Sequence, residues 1–325
     1  MTPLNPATTV HPFATESEWL ALRATDLTST ETAALFGASP YVTEFELFHR
    51  KRGSLSSEFT SNERVTWGTR LEAAIAHGIA EDRGWTIEPL KTYWRIASEG
   101  IGSSFDYVIT SLPDGPALLE IKSVDGLAYR QNWIMEDDAN EPEAPLQIEF
   151  QVQHQLLVSG FSRCFIGALV GGNQTVVLER PRNEPVIAEI RKRAALFWGR
   201  VNRADAPPAV YPDDSDNVRR LHSHAEPGKV LTALTDDHAD LHMLIRRYHD
   251  AQRAEKLAEE DKKTAAAQIL EMIGDNEKVI TPFGSLSAGV VADSLGTEVT
   301  ADMVGTFIGG RKGYRSCRFY PKRGK

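Results

Sequence analysis

Cysteine is nearly absent, with Cys164 and Cys317 alone in 325 residues. Two thiols so far apart cannot build a four-thiolate iron–sulfur or zinc site, and they suit a reducing cytoplasm. No apolar run is long enough to span a bilayer. The start, Met1-Thr-Pro-Leu-Asn-Pro6, has neither the basic n-region nor the apolar h-region of a secretory signal. There is no G-x4-G-K-S/T phosphate loop and no H-E-x-x-H, which argues against ATP-driven helicase action and zinc chemistry. Positive charge is also scarce. Lys and Arg number 36 against 45 Asp and Glu, a net charge of −9. Binding to a phosphate backbone is driven by basic side chains. A nucleic-acid role therefore requires the cations to be gathered in a groove or channel. The clusters on offer are His49-Arg-Lys-Arg52, Arg191-Lys-Arg193 and the tail from Arg311 to Lys325. Each reads equally well as a solvated face.

What is present is the composition of an ordinary globular protein, 41% hydrophobic and 25% charged. Residues 16–52 read as short helices, one of them capped by Thr30 and ended by Gly37 before Pro40. A longer helix is expected over 61–82, closed by Gly84, with Trp67, Leu71, Ile75 and Ile79 at helical spacing. Short β-rich runs follow at 85–87 and 93–96. The runs 105–109 and 117–122 flank Ser111-Leu-Pro-Asp-Gly-Pro116, whose turn residues predict an antiparallel hairpin. Pro145 opens a helix that Gly160 stops. Strands at 164–170 and 175–178 and a helix over 184–202 come next. The expected plan is an α/β (α+β) core over residues 1–205, with a mixed central sheet flanked by helices. A Pro- and Asp-rich linker over 206–235 and a tail over 236–325, a long helix followed by β-hairpin signals, complete it.

The chemistry is concentrated in Asp106 on one strand of the hairpin and Glu120-Ile-Lys122 on the next. Strand periodicity puts Glu120 and Lys122 on one face and turns Ile121 into the core. A register that sets Asp106 beside Glu120 gathers two carboxylates and an ammonium. Two carboxylates alone repel, and a bound Mg²⁺ resolves that repulsion. Such a cation polarises a phosphate oxygen and acidifies a bound water. As a bare pattern, E-x-K is common and carries little. Glu72 adds support because it shares a helix face with Val65, Ile75 and Ile79, where a carboxylate is costly unless paired or metal-bound. Gln151 lies on the helix after Pro145, with Gln147, Gln153 and Gln155 leaving the choice among glutamines open. Ser104 and Arg70 are the donors nearest in sequence for a terminal DNA phosphate, although Arg70 pairs equally well with Glu63 or Glu81.

The order of several stretches resembles the YqaJ viral recombinase family, a lambda-exonuclease-like branch of the PD-(D/E)XK nucleases. They are Leu27-Thr-Ser-Thr-Glu-Thr-Ala-Ala-Leu-Phe-Gly-Ala-Ser-Pro-Tyr41, Thr66-Trp-Gly-Thr-Arg-Leu-Glu72 and Ser103-Ser-Phe-Asp106. Leu119-Glu-Ile-Lys-Ser123 and Gln151-Val-Gln-His-Gln-Leu156 follow, closing with Gly160. The resemblance spans about residues 26 to 200. It implies a restriction-endonuclease-like core, Asp106 and Glu120 as ligands of Mg²⁺ or Mn²⁺, and Lys122 as the catalytic lysine. Glu72, a third carboxylate toward the metal, and Gln151 are implied as accessory residues. The implied function is a cytoplasmic phage-type exonuclease in a bacterial host, resecting double-stranded DNA ends 5′ to 3′ for a single-strand annealing partner. A ring-shaped homo-oligomer would supply the missing basic channel. The alternatives are a structure- or sequence-specific endonuclease on the same fold, and a catalytically silent DNA-binding scaffold; the intact Asp106, Glu120 and Lys122 argue against silence. The family's Ser-Pro-Asp-Gly is Ser103-Ser-Phe-Asp-Tyr107 here, and Ile148 stands where a tyrosine is common. Tyr107 predicts a plain strand after the aspartate.

Overall fold

In chain order the elements begin β1 (Thr9–Pro12), α1 (Glu16–Ala24), β2 (Leu27–Thr28), a 3-10 turn (Thr32–Phe36), α2 (Glu44–Lys51) and α3 (Glu63–Arg83). Next come β3 (Ile87–Pro89), β4 (Thr92–Ile96), β5 (Ile101–Ser103), β6 (Tyr107–Ile109), β7 (Ala117–Val124), α4 (Gly126–Asn132) and α5 (Leu146–Ser159). Then β8 (Arg163–Val170), β9 (Gln174–Pro181), α6 (Glu184–Arg203) and α7 (Ser215–Leu221) complete a first compact unit, Met1–Glu226. These come from a computed structural model that describes residues 2, 4–56, 63–133, 142–224, 226, 228–232, 235–293, 314, 315 and 318–321.

The sheet that positions the site has the order β3-β6-β7-β8-β9, antiparallel except for the parallel β7–β8 pair. Its strands are apolar on both faces, as a sheet covered on both sides must be. Tyr107, Ile109, Leu119, Ile121 and Phe165 pack with Ile75, Ala76 and Ile79 of α3. The alternate residues Val108, Leu118, Cys164, Ile166 and Ala168 join Val152, Leu156 and Val158 of α5 in the larger core. Full burial of each such aliphatic side chain stabilises by about 1.5–3 kcal/mol. The mixed central sheet between helices is the expected α/β class. A second sheet, β1-β4-β5-β2, carries the fully buried Tyr93 and Trp94.

Helix ends follow local chemistry. Gly84 (φ 65°) and Gly160 (φ 75°) take the left-handed conformation where α3 and α5 stop. A Cβ at Gly160 would lie 2.3 Å from the Asn5 amide nitrogen, so this stop also admits the N-terminal segment. Thr30 does not cap a helix. The segment is a 3-10 turn beginning after Glu31, whose carboxylate folds back to accept from the Thr28 amide at 2.9 Å.

The stretch expected as linker contains α7, and residues 206–226 are grouped with the first unit. Asp214 is fully buried, accepting from Thr43 Oγ1 at 2.6 Å and from the Val210 amide at 2.7 Å. A fragment ending after Glu226 is therefore expected to melt cooperatively. One ending at Arg203 loses these bonds and is expected to be less stable by about 1–3 kcal/mol. Thermal melts of the two fragments check this, and equal melting temperatures would show α7 to be dispensable.

The second unit, Pro227–Lys325, opens with a 3-10 turn (Asp236–His238) and α8 (Ala239–Ile273), which has no buried residue. Beyond it, β10 (Lys278–Thr281), β11 (Gly284–Ser287), β12 (Val290–Val291), β13 (Tyr314–Arg315) and β14 (Arg318–Pro321) form a three-stranded and a two-stranded sheet. Among the described residues no helix is long and apolar enough to cross a membrane.

Candidate active site

The β6–β7 hairpin sets the geometry. Its register, Tyr107↔Leu119 and Val108↔Leu118, extends to place Asp106 opposite Glu120. Asp106 precedes a plain strand, as Tyr107 predicts. Its Oδ2 accepts from the Ile121 amide at 2.8 Å, crossing to the neighbouring strand. Glu120 is 3% exposed and faces α5. Lys122 Nζ lies 2.5 Å from Glu120 Oε1, and Gln151 Nε2 donates to the same oxygen at 2.5 Å. Lys122 also donates to Gln151 Oε1 at 3.2 Å. The other carboxylate oxygen, Oε2, accepts from Gln155 Nε2 at 2.6 Å.

The charges in this cluster reshape one another. Burial, then repulsion from Glu120, holds the Asp106 carboxyl well above its ordinary range, against the pull of Lys122. Half-buried Glu72 on α3 is raised by burial and next by Glu120, so it lies within their electrostatic reach. Burial alone would lower the Lys122 pKa, but Glu120 and Asp106 outweigh it and raise the value. Lys122 is an ammonium at neutral pH. Cys164 on β8 is buried and its thiol pushed far up, first by burial and then by Glu120, which leaves it neutral packing.

Asp106, Glu120, Lys122 and Gln151 are thus brought together, while Glu72 acts on them only through the electrostatic field and does not join the two carboxylates in a three-ligand set. Gln153 turns away, donating to Pro181 O at 2.9 Å and accepting from the Asn183 amide at 2.9 Å. That leaves Gln151 as the site-facing member of that pair. Gln155, one of the glutamines left open in the sequence, joins Gln151 at the site, as its spacing of four residues on one helix face allows. Ser104 sits two residues before Asp106 and accepts from Trp19 Nε1 at 2.7 Å. The Arg23 guanidinium lies 4.4 Å from the Trp19 ring centroid and donates to Thr30 Oγ1 at 3.3 Å. Arg70 is exposed and lies over the Trp67 ring, 5.1 Å from its centroid, and forms no ion pair with the site carboxylates among the described residues.

Two of the three basic clusters are spent internally. In the first, Arg50 pairs with Glu46, Lys51 with Glu31, and Arg52 donates to Val201 O. In the second, Arg191 pairs with Glu99, while Lys192 and Arg193 share Glu189. Most of the third, the tail from Arg311, lies outside the described residues.

No group of three His, Cys, Asp or Glu side chains among the described residues forms a metal-holding set. Mg²⁺ needs none, because it binds through one or two carboxylates and keeps several waters. Asp106 and Glu120 supply hard oxygen donors of that kind. The raised Asp106 carboxyl is what an uncompensated buried carboxylate pair produces. The residues present fit such a cation.

Fold and site together define a mixed α/β protein with an Asp–Glu–Lys cluster on a covered hairpin. Residues 18–162 match the model of the YqaJ-like viral recombinase domain. Uncharacterized protein YqaJ of Bacillus subtilis (strain 168) is 25% identical over 236 residues, covering 70% of this chain and 71% of that protein. Among solved structures, an alkaline exonuclease from Laribacter hongkongensis aligns with a TM-score of 0.44 at 15% identity, covering 64% of this chain and 98% of its own. A putative exonuclease from Eubacterium rectale aligns at 0.38 and 9% identity, covering 70% and 97%.

Proposed function

We propose that this chain is a metal-dependent deoxyribonuclease that hydrolyses linear double-stranded DNA from its ends, 5′ to 3′, in phage-type recombination. The observation that carries the reading is the Asp106–Glu120–Lys122 cluster, with Gln151 bonded to both Glu120 and Lys122. The YqaJ-like domain over residues 18–162 supports it. Asp106 and Glu120, with Glu72 in reach, would hold Mg²⁺ or Mn²⁺. When bound, the cation supplies a polarised phosphate and a more acidic water. Lys122, already an ammonium, cannot accept a proton from water. Its part is to hold the Glu120 carboxylate and to offset the negative charge that gathers on phosphorus in the transition state. Gln151 fixes the relative orientation of those two groups. The proposed setting is the cytoplasm of a bacterial host, with a single-strand annealing protein as partner and a ring-shaped homo-oligomer to enclose the duplex.

End dependence is tested with matched linear duplexes, with and without a 5′-phosphate, beside a relaxed closed circle. The linear substrates are expected to be degraded and the circle spared. Comparable cutting of the circle would turn the assignment to an endonuclease. The phosphorylated end is expected to be preferred, because a terminal dianion gains charge-assisted hydrogen bonds that a hydroxyl does not. Ser104 is the proposed hydroxyl contact, and Arg70 and Arg23 are the candidate cations. The contacts leading from Ser104 through Trp19 to Arg23 favour Arg23. Whichever of Arg23→Ala and Arg70→Ala erases the preference identifies the cation; equal rates on both ends in the wild type would discard the phosphate contact.

A further inference from the structure

Gln155 is 1% exposed, one helical turn beyond Gln151 on α5. Its amide nitrogen serves two acceptors, Glu120 Oε2 at 2.6 Å and the Ser104 carbonyl at 3.4 Å. One side-chain NH₂ therefore bridges the strand that carries Glu120 and the segment that carries Asp106. The amide orientation is dictated by chemistry, since an oxygen at that position would face two acceptors. Its own Oε1 is buried and has no hydrogen-bond partner among the described residues. A glutamine kept at a buried position with half its hydrogen-bonding capacity unused is held there for what the other half does. Glu120 Oε1 is shared between Lys122 and Gln151, so Gln155 alone, among the described residues, donates a side-chain bond to Oε2.

We infer that Gln155 is a positioning residue that fixes the Glu120 carboxylate and its spacing from Asp106 for a divalent cation. The inference rests on the nuclease reading above. Outer partners that orient a ligating carboxylate govern both metal affinity and turnover, because a ligand free to rotate must be re-ordered each time the metal binds. Gln155 acts through Glu120 and touches neither DNA nor metal.

The test uses the full chain, with Gln155→Leu to keep volume and remove the NH₂, and Gln155→Glu to place an acceptor against Glu120 and Ser104 O. Mn²⁺ affinity is read by electron paramagnetic resonance, alongside kcat, KM for linear duplex, and thermal melting. The expected result for Gln155→Leu is a Mn²⁺ Kd about tenfold weaker and a comparable fall in kcat. KM should be unchanged, with activity partly restored by excess Mn²⁺. Gln155→Glu is expected to be worse, a difference that a space-filling role does not produce. Gln155→Met serves the same comparison if Gln155→Leu lacks a native melting profile. Unchanged Mn²⁺ affinity in a folded variant overturns the inference, even if melting falls, while an active wild type keeps the nuclease reading intact. A wild-type chain that neither binds Mn²⁺ nor cleaves DNA overturns the nuclease reading and the inference with it.

Discussion

Glu120→Gln is expected to lower the cleavage rate at least about a thousandfold, with DNA binding changed only a few fold. The substitution keeps the side-chain shape, so both packing against α5 and the β7 register survive. It removes the negative charge on which Lys122 Nζ and two glutamine amides converge. Mn²⁺ affinity should fall with the rate, because a proposed ligand is lost. Lys122→Met is expected to match it in rate but not in metal affinity, since the ammonium is no ligand; with that cation gone, Asp106 and Glu120 would repel more strongly in the metal-free protein. Calorimetric titration with Mn²⁺ and single-turnover digestion of a linear duplex separate the two losses. Wild-type turnover in either variant would remove Asp106, Glu120 and Lys122 from consideration as the centre.

The second large effect concerns acid. His154 on α5 is fully buried, with Nδ1 2.5 Å from Thr32 Oγ1 and Nε2 3.0 Å from the Gly102 carbonyl. The carbonyl can only accept, so Nε2 carries the hydrogen and Nδ1 accepts from Thr32. Burial pushes the imidazole down to about 4, with the Gly102 bond and Glu31 acting the other way. The unfolded chain takes up a proton near the ordinary value of 6.5, which the folded chain refuses until about 4. Stability is therefore full above that ordinary value and falls as pH drops through the window between them. The slope approaches 1.4 kcal/mol per pH unit and the total is on the order of 3 kcal/mol. Across this window the urea midpoint of the metal-free wild type should fall more steeply with decreasing pH than that of His154→Gln. The raised carboxyls of Asp106 and Glu72 have the opposite sign, strengthening the fold as pH falls, and they are common to both proteins. Parallel curves would show that His154 is not the acid-sensitive group.

The hairpin, and with it the meeting of Asp106 and Glu120, was legible because its turn residues and alternating strands are local signals. So were α3 and α5, each ended by a glycine whose positive φ the sequence position anticipates. Arg70 illustrates what proximity in sequence conceals. It is two positions from Glu72 on one helix, about 200° around the axis, so the two side chains point to opposite sides. Gln155 was obscured by company: four glutamines in nine residues dilute the meaning of each, and only the sheet's location tells which face of α5 matters. The segment 206–226 read as linker because Pro and Asp dominate it. What holds it is Asp214 bonding to Thr43, a contact across 171 positions that no local pattern announces.

The polar side chains of α5 have a consequence for the order in which the protein is made. Gln151 and Gln155 reach back to Glu120 and Ser104, and His154 to Thr32 and Gly102, all synthesised earlier. Gln153 instead grips Pro181 O and the Asn183 amide, which the ribosome has yet to deliver. A nascent chain that already contains both carboxylates and the lysine thus lacks the last clamp on the helix that aligns them. On the proposed reading, hydrolytic competence is expected to arise late, after β9 has closed the sheet beside β8.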